Sequence, residues 1–265
     1  MPHLSFRAAL ARARKLVAIL KNPVYRRALR HGSAAAVEHE AVPFRHIFRT
    51  IIDVGSSRGQ FALVAAHRFP EAALICFEPL PGPRRKLESA LGRHGNLTVI
   101  DRAVSSDAGT AEFVVSRADD SSSLLEMTAT QTHHFPGTEA ARHITVRTEP
   151  LDEMLTPGEL AAPLLLKVDV QGAEIEVLRG AERVLPRVDS ILVECSFLEL
   201  YRGQALAGEV VAFLHEHGFR LDALCSPTVG REGRVLQADL LFERTRAGSK
   251  LDEPTPLSGD RGTQP

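Results

Sequence analysis

Three carboxylates stand where a nucleoside-binding site needs them. Asp53, Glu78 and Asp101 close three short apolar runs, TIIDV (50–54), ALICFE (73–78) and LTVID (97–101). After the first run comes Gly55-Ser56-Ser57-Arg58-Gly59, whose glycines allow a sharp turn and the close approach of a ligand to the N–H groups of a following helix. Its GxxxG spacing lacks the middle glycine of the GxGxxG dinucleotide fingerprint, which argues against a nicotinamide-dependent oxidoreductase. Asp53 would repel phosphates, yet could orient an amino-acid ammonium. Glu78 is placed to accept hydrogen bonds from both ribose hydroxyls. Asp101 could reach an adenine amino group, or equally cap a turn. Gly55, Ser57 and Gly59 complete this set of candidate contacts.

The elements that must position these residues are legible in the hydrophobic pattern. Two further strand candidates, LLLKVD (164–169) and SILVEC (190–195), follow the first three. Helical patterns at 58–68, 83–93 and 173–185 lie between strands, the last with Val177, Leu178, Ala181, Val184 and Leu185 on one face. Such alternation predicts βαβ units and a parallel sheet covered on both sides. After a helix at 205–217, strands at 219–224 and 234–243 follow with no helix between them, so they must pair antiparallel or lie apart. The expected fold is α/β: a Rossmann-like, doubly wound, mainly parallel seven-stranded sheet ending in an antiparallel hairpin. The stretch 104–150 breaks the rhythm, with short strands at 113–115 and 143–148 flanking a Ser/Thr/His-rich loop.

The motif order resembles the class I S-adenosylmethionine-dependent methyltransferases and, more closely, their FkbM-type family. The residues that carry it are IIDVGSSRGQFALVAA (51–66), ICFEPLPG (75–82), VIDRAVSSDAGTAEF (99–113) and LLLKVDVQGAEIEVLRGAERVL (164–185), then 191–219 and QADLLFER (237–244). The resemblance spans about residues 50–244, and its K-x-D-x-x-G-x-E-x-x-V-L-x-G-A element is quite specific. It implies S-adenosylmethionine as cofactor, with Asp53, Gly55, Ser57, Gly59, Glu78, Asp101 and Asp169 as its binding residues. It also implies methyl transfer to an oxygen, on a glycan, a lipid-linked sugar or a secondary metabolite. Ser57 departs from an Asn frequent in the family, keeping the polar role at shorter reach. Gln171 stands where Glu is frequent, so no acid/base role is expected there.

Methyl transfer is an in-line displacement in which the protein chiefly aligns two reactants and excludes water. A hydroxyl acceptor is a poor nucleophile and gains from a nearby base. Asp169, ending the fourth strand, is the first catalytic candidate. Glu194, ending the fifth, is the second, and if buried it needs a partner. Lys167 and Asp169 project to the same face of their strand, where the two can form an ion pair. Gly172 lets the chain approach closely, Glu174 could cap the next helix, and Tyr201 could wall the acceptor pocket. His133, His134 and His143 invite a metal reading, but adjacent histidines in a loop rarely face one ion, and no metal is expected. The Asp119–Ser123 loop reads as a lid or a plain surface loop. No phosphate-binding GxxxxGK[ST] loop occurs. The alternative is a non-catalytic binding or scaffold protein that kept the fold, against which the intact glycines and strand-end acids count.

With 265 residues, 44% hydrophobic and 25% charged, the composition is that of a globular chain. Its net charge of -1 argues against a whole-protein nucleic-acid binder. That sum averages two unlike parts. Residues 1–32 hold eight basic residues and no acidic one, leaving -1 - 8 = -9 for the remainder. The expected organisation is a basic helical extension (1–45), with a helix over 4–21 and a second helical piece over 24–31, a methyltransferase domain (46–245) and a disordered tail (246–265). The extension is expected to pack on the domain or close over the cofactor end. Contact with an anionic membrane surface is the next reading and nucleic acid the last. Cys76, Cys195 and Cys225 form no paired framework, and no apolar run reaches the length of a membrane span, so a cytoplasmic location is expected. The expected partner is a small-molecule or glycan acceptor.

Overall fold

The computed structural model describes residue 13 and residues 15–230 and 232–245. The predicted tail 246–265 and most of the predicted helix 4–21 lie outside these. The described end of that helix, 15–21, is helical, and Asn22 caps the next one, α1 (Pro23–Leu29), its Oδ1 accepting from Val24 N at 2.9 Å.

The principal sheet has seven strands: β1 (Thr50–Val54), β2 (Ala73–Phe77), β3 (Leu97–Ile100), β7 (Leu164–Val168), β8 (Ser190–Ser196), β9 (Phe219–Val229) and β10 (Val235–Arg244). They lie in the order β3-β2-β1-β7-β8-β10-β9, parallel except for β10, which runs antiparallel to both neighbours. The expected parallel sheet with a closing antiparallel hairpin is therefore present. Strand order reverses between β1 and β7, the position at which open α/β sheets hold ligands. A second sheet of three strands holds β4 (Ala103–Val104), β5 (Gly109–Ser116) and β6 (Ala140–Glu149).

The helices are α2 (Gln60–Arg68), α3 (Pro81–Leu91), α4 (Ala129–His134), α5 (Leu151–Met154), α6 (Glu174–Arg179) and α7 (Ala207–Glu216). α6 is shorter than the predicted 173–185, although the expected apolar face is buried. A Cβ at Gly180 would stand 2.2 Å from the Ser105 carbonyl oxygen, so the chain crosses a neighbouring backbone there. The segment continues as turns, closed by Pro186.

Alternation along the strands divides the sheet into two faces with different work. Ile52, Val54, Leu166, Val168, Ile191, Val193, Leu240 and Phe242 fill one core with Val177 and Leu178 of α6 and Val210 and Leu214 of α7. Ile51, Leu165, Leu192 and Leu241 face the other way, under α2 and under Ala35, Val42 and Phe48 of the N-terminal segment. Fully burying each of these side chains contributes about 1.5–3 kcal/mol. Two residues further along that second face the apolar row gives way to Asp53, Lys167, Glu194 and Asp239. The fold thus places its charged groups at one end of an otherwise apolar layer.

Candidate active site

A cavity of about 610 Å³ opens at the carboxyl ends of β1, β2, β7 and β8, over the switch point. Gly55, Ser57, Glu78, Asp169 and Glu194 all line it, as do Arg102, Gln171, Gln237 and Asp239.

The loop after β1 explains itself locally. Gly55 has a φ of +80°, and a Cβ there would fall 1.8 Å from the Asp169 carbonyl oxygen. Only glycine allows the two strand ends at the switch point to come this close. Ser57 also takes a positive φ, which turns its N–H onto Glu78 Oε2 at 2.9 Å. Glu78 Oε1 accepts from Leu80 N at 2.7 Å. Two backbone donors therefore aim this buried carboxylate. Burial outweighs them and pushes its pKa up to about 7. The Ser57 hydroxyl is buried without a partner.

Asp53 does not line the cavity but sits beside Lys167, which does. Both its oxygens are buried without a hydrogen bond, and desolvation raises its pKa above the usual carboxylate range. Lys167 is its register partner on β7 and stands 3.6 Å away. The same ammonium lies 3.0 Å from Asp169 Oδ2, so the ion pair expected along β7 is formed. Burial works against ionisation of Asp169, but Lys167 and a 2.8 Å bond from Gln171 Nε2 hold its pKa below the ordinary value.

Gln171 is the centre of the polar network, a role that its departure from glutamate did not announce. Its amide donates to Asp169 Oδ1 and, at 2.7 Å, to Glu194 Oε2, while the Tyr201 hydroxyl donates to its Oε1 at 2.9 Å. A positive φ of 57° brings its side chain back over the strand end. Glu194 accepts a second amide from Gln237 Nε2 at 3.1 Å. Desolvation, with the neighbouring Asp169, Asp239 and Glu174 carboxylates, drives its pKa well above the usual range. Tyr201 is fully buried and supports the network from behind, packed so close to Gly172 that a Cβ there would meet its own at 2.8 Å. Glu174 turns back to accept from Gly172 N at 2.9 Å and Val170 N at 3.3 Å, closing the loop ahead of α6.

Three predicted contacts do not line the cavity: Asp53, behind Lys167, and Asp101 and Gly59. Asp101 is about half exposed and held by Arg102 at 2.6 Å, Arg84 at 3.5 Å and Arg147 at 3.6 Å, so its carboxylate turns away from the site that Arg102 and Ala103 line. Gly59 starts α2 with φ +81° and faces Leu87 of α3, where a Cβ would stand at 3.1 Å. Conversely, His39 and Asp239 line the cavity unforeseen. The only signal for Asp239 was a lone acid in the apolar run 235–242, and His39 gave none. Ser121 and Ser122 of the Asp119–Ser123 loop also reach the cavity wall. His143 sits with Glu112 and Glu126 on the exposed face of the second sheet, their ligand atoms within 4.8 Å of one another.

A seven-stranded sheet with a polar cavity at its switch point and a supported carboxylate at the end of β2 defines a doubly wound α/β protein with its cavity where such sheets hold ligands. The methyltransferase FkbM domain matches residues 53–221, well over half of the chain, and the chain belongs to that family. It is 29% identical over 160 residues to the 2-O-methyltransferase NoeI of Sinorhizobium fredii, covering 58% of this chain and 66% of NoeI. It is 32% identical over 143 residues to the hexuronic acid methyltransferase AglP of Haloferax volcanii, covering 54% of each. With the 31-O-demethyl-FK506 methyltransferase FkbM of Streptomyces tacrolimicus it shares 28% identity over 201 residues, 67% of this chain and 75% of that one. The matched region thus spans 66% and 54% of the first two relatives.

Proposed function

We propose that this protein is an S-adenosylmethionine-dependent O-methyltransferase acting on a hydroxyl of a glycan, a lipid-linked sugar or a secondary metabolite. Glu78 carries the reading: a buried carboxylate at the end of β2, aimed into a switch-point cavity by two backbone N–H groups. The orphaned oxygens of Asp53 and the unpartnered Ser57 hydroxyl fit a ligand rich in donors. Bound there, S-adenosylmethionine would supply an electrophilic methyl group on a cationic sulfur.

In this reading the residues divide the work. Glu78 accepts from the ribose hydroxyls, and Gly55 and Ser57 let the backbone meet the nucleoside. Asp53 acts from beside Lys167, by setting the charge of the floor. Asp169, held ionised by Lys167 and Gln171, faces the sulfonium end. Glu194 receives the proton of the acceptor hydroxyl, and a carboxylate with a raised pKa is the stronger base once ionised. Proton transfer and methyl transfer balance as a hydroxyl losing one proton and gaining one methyl group. The test is calorimetric titration with S-adenosylhomocysteine, with binding lost in Glu78→Ala and weakened in Asp53→Ala.

The N-terminal segment supports two further readings. Ile19, Tyr25 and Ala28 are buried in the second core, and Lys15 and Glu38, paired at 3.0 Å, line the cavity, which favours packing against the cofactor end. Leu16, Val17 and Leu20 are about half exposed beside the exposed Lys21, Arg26 and Arg27, which favours peripheral contact with an anionic membrane. Among the described residues no helix is long and apolar enough to cross a membrane. The three free cysteines, two of them buried, favour a reducing, cytoplasmic setting.

A further inference from the structure

Among the described residues, the wall of the cavity beyond Asp169, built from β8, β10 and the N-terminal segment, presents hydrogen-bond acceptors and no uncommitted cation. Both amide hydrogens of Gln171 point at protein carboxylates, Asp169 and Glu194, and Gln237 Nε2 points at Glu194 as well. Asp239 stands opposite Glu194 in the β8–β10 register and also lines the cavity. His39 meets it from the N-terminal segment, with Nε2 3.2 Å from Asp239 Oδ2.

The histidine adds no net positive charge to this pair. Its Nδ1 lies 3.2 Å from the Ala36 carbonyl oxygen, which can only accept, so Nδ1 carries a proton. Nε2 faces the Asp239 carboxylate at 3.2 Å without a hydrogen-bond partner. With or without a proton on Nε2, an imidazole beside a carboxylate leaves the pair neutral or negative, and Asp239 presents acceptor oxygens to the cavity. The ring is well held. Phe61 packs edge-on at 5.3 Å, Arg68 Nη1 donates to the His39 and Val42 carbonyls at 3.0 Å each, and Ala36 N donates to Gln60 O at 3.0 Å.

The remaining charges do not offset this. Among the described residues the cavity is lined by three cations, and each lies beside a protein carboxylate: Lys15 by Glu38 at 3.0 Å, Arg102 by Asp101 at 2.6 Å, and Lys167 by Asp169 at 3.0 Å. Asp169 and Lys167 cancel, and the His39–Asp239 pair and Glu194 are each neutral or negative. Among the described residues the wall is therefore neutral or negative at every protonation state of Glu194. A carboxylated or phosphorylated acceptor would meet acceptor oxygens with no cation among the described residues to answer it.

We propose that this half of the cavity selects a hydroxyl-bearing acceptor without negative charge, with Asp239, positioned by His39, as a specificity-determining residue. The inference rests on the methyltransferase reading of the cavity and sharpens its substrate class. It also separates this chain from its hexuronic acid methyltransferase relative. Neither His39 nor Asp239 falls within residues 53–221, where the family domain matches.

The test is saturation-transfer NMR on the protein loaded with S-adenosylhomocysteine, whose binding is first verified by calorimetry. The probes are methyl α-D-glucopyranoside, its 2-amino-2-deoxy analogue and the methyl glucuronide. The glucoside and the amino sugar are expected to bind at least about tenfold more tightly than the glucuronide, the scale of one like-charge encounter. In Asp239→Asn that preference should fall to within about threefold, because an amide N–H can then face the acceptor where only carboxylate oxygens stood. Should Asp239→Asn fail to hold S-adenosylhomocysteine, His39→Gln should widen the preference, because Asp239 stays and loses the ring that could offset its charge. A glucuronide that binds as well as the glucoside, a preference unchanged in both variants, or no binding by any of the three probes overturns the proposal. Failure to bind S-adenosylhomocysteine at all would fall on the cofactor reading instead.

Discussion

Lys167 and Asp53 are register partners on adjacent parallel strands, and one buried ammonium spans the switch point, 3.6 Å from Asp53 and 3.0 Å from Asp169. Burial opposes its charge, but the two aspartates raise its pKa, so Lys167 stays protonated. Replacing it would leave two carboxylates without a counter-charge in the interior. Lys167→Met should cost about 3–5 kcal/mol in urea denaturation. The double variant Lys167→Met/Asp53→Asn should recover part of that loss, since the two residues are directly coupled. Simple additivity in the double-mutant cycle would contradict the pairing.

Glu78 and Glu174 both ionise near 7, pushed up from the ordinary 4.5 chiefly by burial. The unfolded chain therefore releases these two protons first as pH rises. The stability they add is complete below about pH 4.5 and is lost as pH climbs through about 7. Ribose hydroxyls prefer the ionised Glu78, so affinity for S-adenosylhomocysteine should strengthen from about pH 6 to about pH 8. Calorimetry across that range should show the rise, and Glu78→Gln should flatten it. An equally steep rise in the variant would place the titrating group elsewhere.

Gly55→Ala combines a left-handed backbone with a Cβ 1.8 Å from the Asp169 carbonyl oxygen. The expected loss is on the order of 3 kcal/mol, with S-adenosylhomocysteine binding abolished. Gly137 has φ +93°, and a Cβ there would meet no atom within 4 Å, so Gly137→Ala should cost only about 1 kcal/mol. Thermal denaturation of the two variants side by side separates crowding from backbone strain.

Gln171→Glu would remove the amide hydrogens that Asp169 and Glu194 both accept and add a third carboxylate. A loss of about 2–3 kcal/mol is expected near neutral pH. It should shrink in acid, where the added group is protonated and can donate again. A loss independent of pH would show that packing, not charge, governs the site.

Leu16, Val17 and Leu20 are exposed on the basic helix, whereas Ile19, Tyr25 and Ala28 of the same segment are buried. Deleting residues 1–32 would therefore open the second core as well as remove charge. Replacing Leu16, Val17 and Leu20 by serine spares the core. Co-sedimentation with phosphatidylserine-rich vesicles should fall sharply in that triple variant, and equal partitioning with the wild type would dispose of the membrane contact.

The strands of the main sheet were readable because short, mostly apolar runs at 50–54, 164–168 and 190–196 are buried on both faces and carry their own signal. The end of the predicted helix 173–185 was not, because its apolar face is correct and only a tertiary approach at Gly180 interrupts it. The site divided along the same line. Gly55, Ser57, Glu78, Asp169 and Glu194 converge because each ends a strand or lies on the turn beside it, a local property. Asp101 ends a strand too, yet Arg84, Arg102 and Arg147 hold it outside. His39 and Asp239 meet across 200 residues of chain, which no local pattern encodes.

In the proposed reading Glu78 and the Gly55–Ser57 turn hold the nucleoside of S-adenosylmethionine. Calorimetric titration of the purified protein with S-adenosylhomocysteine tests it most directly. One site per chain is expected in the wild type, and no measurable binding by a Glu78→Ala protein that still unfolds cooperatively. A folded wild type that binds no S-adenosylhomocysteine, or a Glu78→Ala variant that binds it unchanged, would contradict it.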